Sequence, residues 1–98
     1  MVNRIAICDD VEVERFVMKR QLMVYFQTNG REAQIQEYES GESLLADIEE
    51  GYIWPDLIFL DIYMGDLNGM DTARKLRDLG VKWPIVFLLS LIHIDAAD

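Results

Sequence analysis

Asp56-Leu57-Ile58-Phe59-Leu60-Asp61-Ile62-Tyr63-Met64 is the stretch from which the fold of this chain can be read. Four apolar residues in a row, closed at each end by an aspartate, are too short for a helix and have no polar alternation. Such a run predicts a strand buried on both faces, as in a parallel sheet. Trp54-Pro55 breaks the chain before it, and a loop over 62–68 with Gly65 and Asn68-Gly69 follows it. The same kind of run occurs twice more. Arg4-Ile5-Ala6-Ile7-Cys8 ends abruptly at Asp9-Asp10, and Pro84 opens Ile85-Val86-Phe87-Leu88, again expected to be fully buried.

Between these strands the spacing predicts helices. Residues 11–27 lack Gly and Pro and place Val11, Met18, Leu22 and Tyr25 with Phe26 on one face, before Asn29-Gly30 stops the helix. A weaker strand is expected over 33–38. Ser40 then caps a helix carrying Leu44, Leu45 and Ile48 that ends at Gly51. A third helix sets Met70, Ala73, Leu76 and Leu79 inward and closes at Gly80. The order is βαβαβαβ, which implies an α/β fold: a doubly wound parallel sheet with helices on both faces and right-handed crossovers. Ligands of such sheets bind at the carboxyl ends of the strands. Asp9, Asp10 and Asp61 stand at those ends.

The 98 residues suit a single domain, and no apolar run approaches the roughly 18–20 residues of a membrane span. The first ten residues reach acids too early for a secretory signal, so a cytoplasmic address is expected. A net charge of −9 opposes direct nucleic-acid binding by this segment and favours a cation or a basic partner. Acidic surface can also serve solubility alone. Cys8 is the single cysteine, which excludes an internal disulfide, and its apolar neighbours predict an inert buried thiol.

Three carboxylates at one sheet edge would raise one another's pKa values unless a cation neutralised them. An all-oxygen set with room for water suits a hard ion, Mg2+ first and Mn2+ second. Asp61 could then act as the nucleophile in aspartyl-phosphate chemistry. Taken singly, Asp10 could cap the first helix and Asp61 could end a strand in a turn. The three together, in this order, favour the chemical reading.

Ile5-Ala6-Ile7-Cys8-Asp9-Asp10, followed about 50 residues later by the Asp-Ile-x-Met-x-x-x-x-Gly pattern from Asp61 to Gly69, resembles the response-regulator receiver (CheY-like) domain of two-component systems. With Tyr38-Glu39-Ser40-Gly41-Glu42 between them, the two motifs look most like receivers of LytTR-type regulators. The resemblance covers residues 1–88. It implies a flavodoxin-like fold of strand order 2-1-3-4-5, with this chain supplying 2-1-3-4 and lacking the fifth strand and last helices. It also implies phosphorylation of Asp61 by a sensor histidine kinase. Asp10 is then a direct Mg2+ ligand, Asp9 assists, the backbone carbonyl of Tyr63 completes the protein's share, and Met64, Gly65 and Gly69 shape the loop. The chain is expected to act as a switch and not as a conventional enzyme. A LytTR-type DNA-binding output domain is expected in the full-length regulator.

Three departures accompany the resemblance. Gly65 stands where the family usually has proline. Leu89 holds the place of the switch Thr or Ser, with Ser90 one residue late and so on the opposite face. The lysine that follows the fifth strand has no counterpart. Residues 89–98 are expected to be a non-native tail. Leu89-Ser90-Leu91-Ile92-His93-Ile94 is the translation of CTG-TCT-CTT-ATA-CAC-ATC, a transposase mosaic end used in sequencing libraries. Asp95-Ala96-Ala97-Asp98 matches the adjoining adapter after loss of one base. His93 is then no ligand. The missing hydroxyl and lysine keep a phosphorylation-independent interaction module as the alternative function. A haloacid-dehalogenase-like phosphotransferase fits less well, because that family separates its first two acids and places its nucleophile after strand one.

Overall fold

A computed structural model describes residues 2–65 and 67–89. Its elements are β1 (Val2–Cys8), α1 (Glu12–Thr28), β2 (Glu32–Tyr38), α2 (Gly41–Glu49), β3 (Leu57–Asp61), α3 (Gly69–Asp78) and β4 (Ile85–Leu88). All strand pairs are parallel and their order is β2-β1-β3-β4, which is the doubly wound arrangement expected. The register sets Cys8 beside both Tyr38 and Leu60, and Asp61 beside Leu88. The expected tail, Leu89 apart, lies outside the described residues.

Alternation along the two central strands builds two cores. Ala6, Cys8, Ile58 and Leu60 face α2 and α3, packing with Leu44, Leu45, Ile48, Ala73 and Leu76. Ile5 and Ile7, with Leu57 and Phe59, face α1 and meet Phe26, Met18 and Leu22. Helix ends follow the local chemistry. The Ser40 hydroxyl accepts from the Ser43 N–H at 3.1 Å, and the Asn68 side chain accepts from the Asp71 N–H at 2.8 Å. Gly30 stops α1 in the left-handed region, at φ 67°.

Several inward expectations need correction. Tyr25 is 56% exposed and meets the Phe26 ring edge to face, because among the described residues no second helix lies beside α1 to cover a wider stripe. Met70 and Leu79 are about half exposed at the two ends of α3. Thr72 is fully buried there alongside Leu76, and its hydroxyl donates to the Asn68 carbonyl at 2.9 Å. β4 is not fully buried: Val86 and Phe87, on opposite faces, are 41% and 40% exposed. Ile85 packs at the margin of the α2–α3 core, and among the described residues no helix lies past β4 to cover the rest of the strand.

Candidate functional site

β1 and β3 are neighbours in the sheet, yet the chain leaves β1 toward β2 on one side and returns to β3 on the other. The crevice at their carboxyl ends is therefore the topological switch point, where backbone loops diverge and leave room for a ligand. Asp9 follows β1 and Asp61 closes β3; both are buried, at 3% and 0% exposure. Two-residue alternation puts Asp9 in line with Ile5 and Ile7, and Asp61 in line with Leu57 and Phe59. Both acids thus belong to the sheet face that α1 covers.

That placement brings in a residue the sequence reading passed over. Glu14, in the first turn of α1, joins Asp9 and Asp61, and the ligand oxygens of the three lie within 4.8 Å of one another. Helical side chains lean toward their own N-terminus, which here points at the strand ends. In the sequence Glu14 is one more acid beside Glu12 at the start of α1. What brings it to the site is the angle at which α1 leaves β1, for which the sequence offers no signal. Asp10 itself is exposed and stands outside the trio.

The Asp9 segment is held on several sides. Its N–H donates to the Tyr38 carbonyl at 3.0 Å, its side chain accepts from the Val11 N–H at 2.9 Å, and its carbonyl accepts from Arg15 Nη1 at 2.7 Å. The Arg15 guanidinium also faces the Glu37 carboxylate at 3.4 Å, tying the Asp9 loop to β2. Burial pushes the Asp9 carboxyl up to about 7. The hydrogen bond to Glu14 and the charges of Asp61 and Glu14 add to this, against the Val11 N–H. Burial, with the charges of Asp9 and Asp61, pushes the Cys8 thiol up to about 12, and its sulfur rests 3.6 Å from that of buried Met64. The inert thiol expected from the sequence is what the packing produces.

On the β3 side, one Asp61 oxygen accepts from the Tyr63 N–H at 3.1 Å, which fixes the first turn of the loop. Tyr63 is exposed, as is Gly65, around which a Cβ would meet open space. Gly69 is the opposite case. A Cβ there would run into the backbone carbonyl of Asp61, so only glycine lets α3 start this close to the site. Leu89 follows β4 directly and is exposed, while the Ile62 N–H donates to the Leu88 carbonyl at 3.0 Å.

A sequence profile described as the response regulator receiver domain matches residues 5–97 of this chain. The chain belongs to that family. The match runs through the stretch 89–97 as well as the described fold. This receiver is 28% identical over 87 residues to the two-component response regulator ORR41 of Oryza sativa subsp. japonica, covering 89% of the chain and 65% of the rice protein. Among solved structures it resembles the N-terminal domain of a response regulator/sensory box/GGDEF protein from Carboxydothermus hydrogenoformans. The identity is 25% and the TM-score 0.77, over 89% of this chain and 64% of that one. It also resembles response regulator protein TrrA of Thermotoga maritima, solved in complex with Mg2+–BeF, at 28% identity and a TM-score of 0.74, over 96% and 75% of the two chains. The receiver thus spans slightly less than two thirds of the rice regulator and of the Carboxydothermus chain.

Proposed function

We propose that this receiver takes a phosphoryl group onto Asp61 from a phosphohistidine of a sensor histidine kinase. The carrying observation is the burial of Asp61 at the switch point within a trio of carboxylates that the fold forces together. A carboxylate oxygen of Asp61 forms the new bond to phosphorus as the bond from phosphorus to the kinase histidine breaks; with that histidine protonated on its other ring nitrogen, the products are an aspartyl-phosphate and a neutral imidazole. The Tyr63 N–H orients the carboxylate, and the Arg15 clamp on the Asp9 carbonyl keeps the opposite wall in place.

The donor set fits a divalent cation. All the groups are oxygens, and a cation would offset the burial and the neighbouring carboxylates that raise Asp9. Asp9 and Asp61 are already together; Asp10, at the adjacent surface, and the backbone carbonyl of Tyr63 complete the set, with Mg2+ as the natural occupant and Mn2+ as a substitute. When bound, the ion neutralises the carboxylates and the oxygens of the phosphoryl group in transfer. The complex of the similar Thermotoga protein with Mg2+–BeF supports this reading.

The receiver then works as a switch and not as a conventional enzyme. In the full-length regulator it passes its state to an output domain, which we take to be of the LytTR DNA-binding type, in the cytoplasm. Among the described residues no helix is long and apolar enough to cross a membrane. One observation favours a second reading, a phosphorylation-independent interaction module: exposed, apolar Leu89 offers no hydroxyl at the end of β4.

Incubation with acetyl phosphate and Mg2+ separates the two. A mass gain of one phosphoryl group, absent without Mg2+ and absent in Asp61→Asn, is expected of the switch. An unchanged mass under all conditions leaves the interaction module.

A further inference from the structure

β2 closes the sheet on the side away from β3, and among the described residues it pairs with β1 alone. Its outer edge is open from both faces. A groove of about 570 Å³ runs along the α2 side past Arg4, Gln34, Gln36 and Tyr38. Two more on the α1 side reach Arg31 to Gln34 and Glu37 with Glu39.

The orientation of its backbone groups can be read from one hydrogen bond. The Tyr38 carbonyl accepts from the Asp9 N–H, so Tyr38 turns its groups toward β1. By the two-residue period Glu32, Gln34 and Gln36 do the same, and Ala33, Ile35 and Glu37 turn theirs outward. Proteins usually blunt so long an edge with proline, lysine or a bulge. β2 has none of these.

We propose that this edge joins two copies of the chain, β2 to β2, antiparallel about a two-fold axis at Ile35. In that register Ile35 faces Ile35 of the second copy and Ala33 faces Glu37. These are the residues with outward groups, so each such pair exchanges two N–H···O=C bonds. A slip of one residue sets outward groups against inward ones and forfeits the ladder. Side chains agree with the backbone. Gln34 faces Gln36, no glutamate faces a glutamate, and Arg31 at one end faces Glu39 at the other. Both are exposed, and among the described residues neither forms an ion pair. Glu37, by contrast, is already held by Arg15 and Lys19, which disfavours the slip of two residues that would set Arg31 against it. The fit is isologous, as a two-fold contact requires.

Sedimentation equilibrium of the wild-type chain and three variants tests this, with circular dichroism checking each fold. Ala33→Pro removes an outward N–H that the isolated chain leaves unused, so the fold persists while association weakens roughly tenfold or more. Arg31→Glu sets like charges against Glu39 and also weakens it; the double change Arg31→Glu with Glu39→Arg restores it. A wild-type chain that stays monomeric up to millimolar concentration overturns the proposal, even if it takes up an added strand peptide. So does a dimer indifferent to Ala33→Pro, or a charge swap that fails to rescue. Asp61→Asn leaves the association intact, so this outcome and that of phosphotransfer are read separately.

Discussion

The two faces of the sheet are made from the same strands, yet they carry different burdens. On one, α2 and α3 together bury Ala6, Cys8, Ile58 and Leu60 to nothing. On the other, among the described residues, only α1 packs over Ile5 and Ile7, and Leu57 and Phe59 stay partly open. Asp9 and Asp61 fall on the second face, and so does Glu14. The face packed by α2 and α3 supplies rigidity, and the α1 face leaves space at its rim for three acids. A residue's worth to stability and its worth to chemistry are therefore separated by alternation along a strand.

That contrast can be broken most directly in the cores. Leu76→Ala, under α3, is expected to cost about 3 kcal/mol in urea unfolding, and Leu22→Ala, on the half-open side of α1, about 1 kcal/mol. Equal costs would mean that the faces are not distinct. Gly69→Ala tests the seam between them, since its methyl meets the Asp61 carbonyl; a loss of about 2 kcal/mol is expected, with weakened Mg2+ binding by calorimetry.

Asp9 gives a smaller effect with a definite sign. Its folded carboxyl sits near 7, against about 3.9 in an unfolded chain, so the folded form keeps a proton the unfolded form has released. Its contribution is complete below about pH 4 and is lost as the pH rises through 7. Metal-free Asp9→Asn should therefore be more stable than wild type at pH 7.5 by about 1 kcal/mol, with a flatter pH profile and little stabilisation by Mg2+. Matching melting curves for the two proteins across this range would remove the burial and crowding that we ascribe to Asp9. The smallest change is expected from Arg74→Ala. Its ion pair with Asp71 at 3.1 Å is exposed, and the loss should stay below about 0.5 kcal/mol.

Much of this was legible before any coordinates. Buried parallel strands announce themselves as short apolar runs, and the acids at their ends follow from where the runs stop. Asp61 and Asp9 were therefore visible as neighbours-to-be. Glu14 was not, because a helical acid joins the site through the angle at which α1 leaves β1, and that angle has no linear trace. The exposure of Val86 and Phe87 was hidden for a related reason. An apolar run states what a strand can bury, while the coverage depends on helices elsewhere.

Gly69 and Gly65 share a loop and differ in what they permit. Around Gly65 there is open space, so its freedom comes from the lack of neighbours; at Gly69 the Asp61 carbonyl fills the place of a side chain. In mutational terms the loop has a soft middle and a hard end. Substitutions can accumulate at position 65 to tune what the surface presents to a partner. At position 69 a single residue type is admissible as long as α3 begins where it does, so the Asp61 carboxylate keeps its address while the loop around it drifts.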